Sequence, residues 1–407
     1  MAGGFLSATA GARLRGAAVG TWRTGCATFT LREATMRIGI DLHTVHHLMQ
    51  GSKTYMYQMA MHLARSSQAG DFVFYVPEEA HAEFAQHDFG GRVAVESMPL
   101  SRIKRLVTAF PRQCKRSGID LLHVQYIAPF RLAMPYVVSL HDILHETYPQ
   151  FYPRKIRRLM SLLYPLSARK AAKVIALSEY TKMEVMTKYN VPAGQIEVVY
   201  PGVSDEFRPR TDAAQVARVK SKYKIDGDYL LYVGRIEPRK NIQSIIKAAL
   251  LLHQRRELPC KVVIAGMMDP MLPEYYHSTR AMGQHERIIF TGGVAQEDLP
   301  YLYNGATAFV YPSYGEGFGM PITEAMASGV PVIASNVTAV PEAVGDAGIM
   351  VDPHDVDALA QAMGTVLGDA ALRERMTANG LAHAARFPWS GMAAQVLGVY
   401  AQVLGTA

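Results

Sequence analysis

Cysteine, long apolar runs and metal-ligand spacings are all scarce in this chain of 407 residues. Its three cysteines, Cys26, Cys114 and Cys260, lie far apart, and none belongs to a Cys-x-x-Cys pair, which excludes a disulfide framework and a zinc site. A reducing compartment fits this pattern. No stretch approaches the roughly 18 continuous apolar residues that a membrane-spanning helix needs. The sequence therefore predicts a globular protein of two or three domains, with a 49% hydrophobic content that can fill their cores.

Motifs for metals and cofactors are also missing. The two Asp-x-Asp sequences have local explanations, because Asp226-Gly227-Asp228 forms a turn before a strand and Asp355-Val356-Asp357 begins a helix. The chain has no Walker loop, and no Gly-x-Gly-x-x-Gly follows the first strand of either half. We therefore predict that the protein requires neither a metal nor a bound cofactor.

The net charge of +7 is concentrated in the first half of the chain. Residues 102–173 contain 14 basic and three acidic side chains. Such a face attracts phosphate, either of an anionic lipid or of a nucleic acid, although a solvated helix surface explains it equally well. Because no aromatic residues of a recognisable RNA-binding type interleave with these charges, we expect no nucleic-acid partner.

Short Val/Ile-rich runs alternate with helical stretches, a pattern that predicts parallel sheets covered by helices. We expect a disordered extension (residues 1–35), a first Rossmann-like domain (36–200), a second one (201–387) and a last helix that returns to the first domain (388–407). The fold class is therefore α/β, with two doubly wound domains that face a cleft. Ligands of such sheets bind beyond the carboxyl ends of the strands.

The predicted strands are short and fall into two sets. They are expected at residues 36–41, 72–76, 92–96, 121–124, 136–140, 173–177 and 196–200 in the first domain, and at 229–233, 261–265, 287–291, 307–311, 331–334 and 348–351 in the second.

Two glutamates lie close together after one of these strands. Glu316 is expected in a glycine-rich loop, and Glu324 in the first turn of a helix that begins near Pro321 and stops at Gly329. Both can face the cleft, where the backbone N–H groups of Gly317, Phe318, Gly319 and Met320 favour anions and hydroxyl acceptors. Two plain explanations remain open: Glu324 can simply favour the helix dipole, and Glu316 can be a solvated loop acid.

A second cluster follows the first strand of the second domain. In residues 234–241, Arg235, Arg239 and Lys240 lie in a short loop before a helix that Asn241 is expected to cap. Cations at such a position can neutralise a diphosphate. Surface salt bridges are the alternative explanation.

Taken in order, these motifs resemble the family-four retaining glycosyltransferases of GT-B fold. The resemblance runs from about Met36 onward and rests on MRIGID (36–41), VSLHD (138–142), VGR with KN (233–235, 240–241), FTGGV (290–294) and EGFGMPITE (316–324).

The resemblance implies a role for each matching residue. Arg235 and Lys240 correspond to the family's pair on the donor diphosphate, Glu316 to the carboxylate on the sugar hydroxyls and Glu324 to the one on the ribose diol. The remaining counterparts are catalytic His141, Asp142 of uncertain role, Val294 at the base, and Gly317, Phe318, Gly319 and Met320 around the sugar. His141 can also be a merely buried histidine. The family's first loop commonly has a second glycine where this chain has Lys53, so only Gly51 carries over, and the contribution of Lys53 is uncertain.

The implied activity is retaining transfer of a hexosyl group from a nucleotide sugar to a glycan or lipid-linked acceptor. The segments LLHVQYIAPF and HDILHETYP resemble those of mannosyltransferases of surface-polysaccharide assembly, which favours a mannosyl group and GDP-mannose. UDP-sugars stay open as donors. A glycosidase, a sugar-nucleotide epimerase and a non-enzymatic nucleotide-sugar binder are the alternatives. We expect a cytoplasmic protein, with peripheral attachment to the inner face of an anionic membrane and a role in polysaccharide biosynthesis.

Overall fold

A computed structural model describes residues 20–24, 27–31, 36–46, 51–66, 71–270 and 272–405. Its strands are β1 (Gly20–Thr24), β2 (Ala27–Leu31), β3 (Arg37–Asp41), β4 (Asp71–Pro77), β5 (Val93–Met98), β6 (Leu121–Gln125), β7 (Tyr136–Leu140), β8 (Lys173–Ala176), β9 (Ile196–Val198), β10 (Tyr229–Val233), β11 (Lys261–Ala265), β12 (Ile288–Gly292), β13 (Ala308–Tyr311), β14 (Val332–Ser335) and β15 (Ile349–Val351).

The helices alternate with these strands. They are α1 (Gly51–Arg65), α2 (Glu78–Ala85), α3 (Arg102–Lys104), α4 (Phe110–Ser117), α5 (Leu144–Thr147), α6 (Arg154–Lys170), α7 (Glu179–Tyr189), α8 (Ala213–Lys222), α9 (Ile242–Gln254), α10 (Pro273–Met282), α11 (Leu299–Asn304), α12 (Met320–Ala327), α13 (Val340–Val344), α14 (Val356–Gly368), α15 (Ala370–Ala384) and α16 (Trp389–Gly405). A single π-helical turn, Arg105–Ala109, joins α3 to α4.

Two parallel sheets organise the chain. The first has seven strands in the order β5-β4-β3-β6-β7-β8-β9, and the second has six in the order β12-β11-β10-β13-β14-β15. Their inner strands are buried on both faces, as continuous apolar runs such as YLLYV predict. Each of the thirteen strands predicted from the sequence is present, so the prediction of two doubly wound sheets is confirmed.

The N-terminal extension remains largely a prediction. Most of residues 1–35 lie outside the described residues, but β1 and β2 pair there in antiparallel register, with Gly20 opposite Leu31. This pair was not predicted from the sequence.

Helix α16 belongs to the core of the first sheet although it follows the second domain. Its Trp389, Val396 and Tyr400 are buried among residues of the first domain such as Tyr55 and Met59 of α1. The linker runs past this helix at Gly202, where a Cβ would stand 2.6 Å from the Trp389 Cα atom. A side chain at this position would push the returning helix away, so the glycine is required by packing.

Candidate active site

A buried carboxylate lies at the carboxyl end of β13. Glu316, in the loop between β13 and α12, is only 6% exposed. Its Oε1 accepts hydrogen bonds from the Lys240 ammonium at 2.7 Å and from the Ser313 hydroxyl at 2.6 Å, and its Oε2 accepts one from Arg239 at 3.1 Å. The backbone N–H of Glu316 donates to Thr338 Oγ1 at 3.0 Å. Both the side chain and the backbone of Glu316 are therefore held in place before any ligand arrives.

The neighbours of Glu316 set its charge. Burial raises the pKa of a carboxyl, but the cations of Lys240 and Arg239 outweigh burial and lower the pKa of Glu316 to about 2. Burial in turn lowers the pKa of the Lys240 ammonium, and the carboxylate opposes that effect. The ammonium also donates to the Tyr311 hydroxyl at 2.7 Å. At neutral pH the site thus holds an ionised carboxylate, a group that accepts hydrogen bonds from hydroxyls.

The two arginines of this loop have different surroundings. Arg239 points inward, where its guanidinium donates to Glu237 at 2.6 Å, to Glu316 and to the carbonyl of Gly315. Arg235 is 28% exposed and pairs with Asp269 at 3.3 Å. Arg235 is therefore the more exposed of the two, and its contact with a diphosphate stays a prediction, whereas Arg239 holds the loop. The sequence placed Arg239 among the cations that can neutralise a diphosphate, but its guanidinium is instead bonded within the protein.

Asn241 occupies the position before α9, but the prediction that its side chain caps the helix is wrong. The Asn241 amide donates instead to the carbonyls of Pro312 at 3.0 Å and Pro353 at 2.7 Å. This contact is available because Asn241 adopts a left-handed backbone conformation, with φ of 57°. The side chain therefore ties the Lys240 loop to the loop that carries Glu316.

His141 lies at the carboxyl end of β7 and is only 7% exposed. Its Nε2 lies 3.0 Å from the side-chain amide of Gln125, and this contact orients the ring. The ring packs edge-on against Tyr55 at 4.6 Å. Burial, with a smaller contribution from His123, lowers the pKa of His141 to about 3. His141 is therefore neutral at physiological pH and can form hydrogen bonds without carrying charge.

The two domains touch where His141 meets the Glu316 loop. A Cβ placed on Gly317 would stand 2.0 Å from the His141 carbonyl oxygen and 3.1 Å from the Asp142 side chain. Only glycine permits this approach. The Asp142 carboxylate accepts the backbone N–H of Leu144 at 3.1 Å, which fixes the loop after β7. The structure thus brings together residues that lie far apart in the sequence.

A second contact between the domains lies at the start of α1. A Cβ on Gly51 would stand 3.2 Å from Met320 Cε, so the first residue of α1 faces the first residue of α12 across the cleft. Lys53 is partly buried in the first turn of α1. Gly51 and Met320, both predicted to surround the donor, are therefore neighbours.

Glu324 lies in the second turn of α12, which corrects the prediction of the first turn. The helix begins at Met320 rather than at Pro321, because Gly319 supplies a left-handed residue with φ of 111° at the N-cap. The Glu324 carboxylate accepts the Tyr303 hydroxyl at 3.0 Å. Burial raises the pKa of Glu324 to about 7, and the Tyr303 hydrogen bond only partly opposes this. Glu316 is therefore ionised at neutral pH, whereas Glu324 titrates near neutral pH.

The ring of Phe318 is buried, so its predicted contact with a donor sugar would use backbone atoms. The ring packs against Tyr200 at 5.6 Å and Phe387 at 5.4 Å, at the junction of the two domains. Val294 is 5% exposed and lies two residues after Gly292, whose φ is 71°. Its proposed contact with a base would therefore use main-chain atoms.

Among the residues that the structure describes, no group of three His, Cys, Asp or Glu side chains is placed to hold a metal ion. The two Asp-x-Asp sequences have the local roles expected of them. Gly227 is a turn residue with φ of 69°, and the Asp355 carboxylate caps α14 by accepting the Ala358 N–H at 2.8 Å.

Two family models match successive parts of the chain. The model described as Glycosyltransferase Family 4 matches residues 49–207, and the one described as Glycosyl transferases group 1 matches residues 215–383. The first match ends and the second begins near the linker between the two sheets.

Several relatives are similar over much of the chain. The O-antigen chain mannosyltransferase B of Escherichia coli is 37% identical over 279 residues, which cover 68% of this chain and 72% of that protein. The serotype-specific mannosyltransferase WbdA of Escherichia coli is 32% identical over 232 residues, but the match spans only 28% of its length. A D-inositol 3-phosphate glycosyltransferase of Corynebacterium glutamicum (strain R) is 34% identical over 56% of this chain and 57% of its own.

Solved structures establish the fold. The sucrose-phosphate synthase of Thermosynechococcus elongatus superposes with a TM-score of 0.73 at 22% identity, over 91% of this chain and all of that one. Anabaena Alr3699/HepE, solved in complex with UDP and glucose, gives a TM-score of 0.71 at 20% identity over 90% of this chain and all of its own. The GT-B architecture is thus confirmed, and this chain belongs to the family-four glycosyltransferases.

Proposed function

We propose that the chain transfers a hexosyl group, with mannosyl favoured, from a nucleoside diphosphate sugar to a glycan or lipid-linked acceptor, with retention of anomeric configuration. The observation that carries this proposal is the buried Lys240–Glu316 pair, at 2.7 Å, directly beside the contact between Gly317 and His141. An ionised carboxylate suits sugar hydroxyls, and a cation beside it suits a phosphate.

The chemical task in this proposal is to stabilise charge on the leaving group. As the bond between the anomeric carbon and the diphosphate oxygen breaks, negative charge grows on the diphosphate. Arg235, Lys240 and the backbone amides of Phe318 and Gly319 are the donors available to it, and each such donor typically contributes about 10²–10³ in rate. The acceptor hydroxyl forms the new bond and gives its proton to a phosphate oxygen of the departing nucleotide. The proposed reaction requires no metal.

His141 positions the sugar in this proposal rather than acting as an acid. Because burial lowers its pKa to about 3, the ring carries no transferable second proton near neutral pH. A neutral imidazole can instead hydrogen-bond a sugar hydroxyl through the nitrogen that Gln125 leaves available.

The donor is proposed from the names of the similar proteins. Two of them are called mannosyltransferases, which supports GDP-mannose, and a solved relative holding UDP and glucose keeps UDP-sugars as the alternative. Because base choice depends on main-chain contacts around Val294, it requires a measurement.

A panel of nucleotide sugars tests the proposal. We expect GDP-mannose or a UDP-sugar to raise the melting temperature of the wild-type protein, and Glu316→Ala or Arg235→Ala to abolish that rise. Transfer to a glycan or lipid-linked acceptor should follow the same donor preference. Donor stabilisation that both variants retain would overturn the assigned site. Release of sugar from a nucleotide-free aryl glycoside would favour a glycosidase, conversion of the free donor an epimerase, and donor binding without transfer a non-enzymatic binder.

The acceptor side of the proposal rests on an exposed face of the first domain. Helix α6 presents Leu159, Leu162 and Leu166 to solvent at 40%, 60% and 41% exposure, with Arg154, Lys155 and Arg158 exposed in its first turns. We call this the α6 face. Apolar side chains that point outward among cations are typical of helices that lie in the surface of an anionic bilayer.

A neighbouring segment extends this face. Ile103 and Val107, at 76% and 52% exposure, lie in α3 and the following π-helical turn. Burial raises the pKa of Tyr164 on α6, and the nearby positive charge of Arg102 on α3 partly opposes this effect. Phe130 is 60% exposed in the loop whose Ala128 N–H donates to Ser167 of α6 at 3.0 Å. No helix of the described residues is long and apolar enough to cross a bilayer. We propose peripheral attachment to the cytoplasmic face of a membrane, where lipid-linked acceptors for polysaccharide assembly would be met.

A further inference from the structure

One carboxylate of the second domain binds the first domain at three points. Glu342, on α13, accepts the backbone N–H of Glu179 at 2.8 Å on Oε2 and that of Tyr180 at 2.8 Å on Oε1. Its Oε2 also accepts the Tyr200 hydroxyl at 2.9 Å. All three donors belong to the first domain. The two N–H groups are the first of α7, where an anion is favoured by both the unpaired donors and the helix dipole.

The chain segment that carries Glu342 also contacts the loop that carries Glu316. Four residues before Glu342, Thr338 accepts the backbone N–H of Glu316 at 3.0 Å. Thr338 has a φ of 56°, a conformation that a β-branched residue rarely adopts. Such a conformation persists where surrounding contacts hold it, and it costs of order 1–3 kcal/mol. Thr338 and Glu342 therefore link the position of Glu316 to the first domain.

The first turn of α7 completes the connection on the other side of the cleft. Thr181 of α7 donates from its hydroxyl to the His141 carbonyl at 3.4 Å, and that carbonyl faces Gly317. The contacts thus form a closed circuit, which we call the interdomain ring: Glu316, Thr338, Glu342, α7, Thr181, His141 and Gly317.

We propose that Glu342 is a positioning residue for glycosyl transfer, which holds the two domains in the arrangement that places His141 opposite Glu316. It acts through α7 and Thr338, without touching the donor. This inference rests on the donor-binding roles proposed for Glu316 and His141. The closed arrangement depends on charge-assisted hydrogen bonds, so their loss favours an open cleft.

The test is Glu342→Gln, which keeps the size of the side chain but puts an amide N–H against donors of the first domain. We expect kcat to fall by about 10- to 100-fold, as expected for a lost charge-assisted hydrogen bond. Binding of a nucleoside diphosphate to the second domain should stay within about twofold, and the radius of gyration from solution scattering should increase. Tyr200→Phe removes one of the three hydrogen bonds and should have the same effects at smaller size.

Glu374→Gln, which changes an exposed glutamate of α15 in the same way, is the matched control and should behave as wild type. Unchanged kcat and unchanged scattering in both Glu342→Gln and Tyr200→Phe would overturn the inference. Loss of nucleoside diphosphate binding in Glu342→Gln would also overturn it, because Glu342 would then act on the donor directly. If Glu342→Gln fails to fold, Tyr200→Phe decides the question alone. Glu316→Ala is measured in parallel to test the proposed donor site separately. If Glu316→Ala still binds the donor, the proposed donor site is wrong; if it does not, the results for Glu342→Gln and Tyr200→Phe test the positioning role alone.

Discussion

Glu316 and Glu324 belong to the same short segment but ionise in different pH ranges. The lowered pKa of Glu316, about 2, means that this carboxylate stabilises the fold above its ordinary pKa of 4.5, and that the contribution is lost as pH falls from 4.5 toward 2. The raised pKa of Glu324, about 7, has the opposite sign. Its protonated form is favoured in the fold, so stability is lost as pH rises from 4.5 through 7. One residue holds a permanent charge, and the other can change charge with its ligand.

Removing Glu316 should expose the cost of an unpaired buried cation. In Glu316→Ala, the Lys240 ammonium loses the carboxylate that lies 2.7 Å away, and we expect the free energy of unfolding to fall by about 3–5 kcal/mol. Adding Lys240→Met should restore part of this loss, because the double variant buries no unpaired ammonium. Urea unfolding at pH 7 measures both. A double variant that loses the sum of the two single costs would contradict this pairing.

Donor affinity should depend on pH through Glu324. If its carboxylate accepts the ribose diol, the protein must release a proton from Glu324 when it binds the donor below pH 7. The dissociation constant for the nucleotide sugar should therefore increase as pH falls below 7, approaching tenfold for each pH unit. Calorimetry between pH 5.5 and 8 measures this. Glu324→Gln should bind more weakly and without the pH dependence. A wild-type affinity that stays flat over this range would show that Glu324 does not bind the donor as a carboxylate.

The roles of individual side chains in the site could be predicted only in part from the sequence. Arg235 and Arg239 stand four positions apart in one loop and look alike in the sequence. Their different roles depend on tertiary partners, since Glu237 and Glu316 surround one and Asp269 pairs with the other. Thr338 and Glu342 escaped the sequence analysis for the same reason: their partners lie in distant segments.

At the scale of elements, the loops that meet across the cleft tolerate little change. Gly317→Ala would place a Cβ 2.0 Å from the His141 carbonyl oxygen, a contact that only separation of the loops can relieve. We expect kcat to fall about 100-fold, because small misplacements of reacting groups have effects of this size, with nucleoside diphosphate binding retained. Steady-state transfer assays measure the first, and calorimetry the second.

Gly368→Ala is the control for that substitution, because a Cβ at this exposed position at the end of α14 meets no atom within 4 Å. It should keep wild-type activity. Equal activity of the two alanine variants would mean that the loops are not held in the arrangement described.

Regular elements were far more predictable than their ends. The thirteen parallel strands are continuous apolar runs between glycines, prolines and charged turns, and this pattern follows directly from burial on two faces. The start of α12 was misplaced by one residue, because a left-handed Gly319 can begin a helix before the proline that usually marks its first turn. The β1–β2 pair was not predicted, because residues 1–35 are rich in Ala, Gly, Thr and Arg and have no sustained apolar period.

At the scale of the whole molecule, the α6 face predicts where the protein meets a membrane. We expect the protein to float with vesicles that contain anionic lipid at low salt, and to be released as salt screens the attraction. It should not bind vesicles of neutral lipid with the same affinity. Absence of binding to anionic vesicles at low salt would contradict the proposal.

Variants separate charge from insertion on that face. Arg158→Glu on α6 should weaken vesicle binding about tenfold, since each basic residue near the surface contributes about 1 kcal/mol and reversal also adds repulsion. Arg375→Glu, the matched reversal at an exposed position of α15, should leave binding unchanged. Leu162→Glu should also reduce the part of vesicle binding that persists at high salt, because that part depends on apolar contact.

The return of α16 to the first core has a consequence for biosynthesis. Trp389, Val396 and Tyr400 complete a hydrophobic interior whose other residues leave the ribosome hundreds of codons earlier. Until α16 has been synthesised, the surface of α1 that this helix covers stays exposed. The second domain can therefore finish folding before the first domain does. Chaperone contacts during translation should accordingly concentrate on the earlier half, and a stop codon before α16 should yield a chain that is degraded rather than a smaller working enzyme.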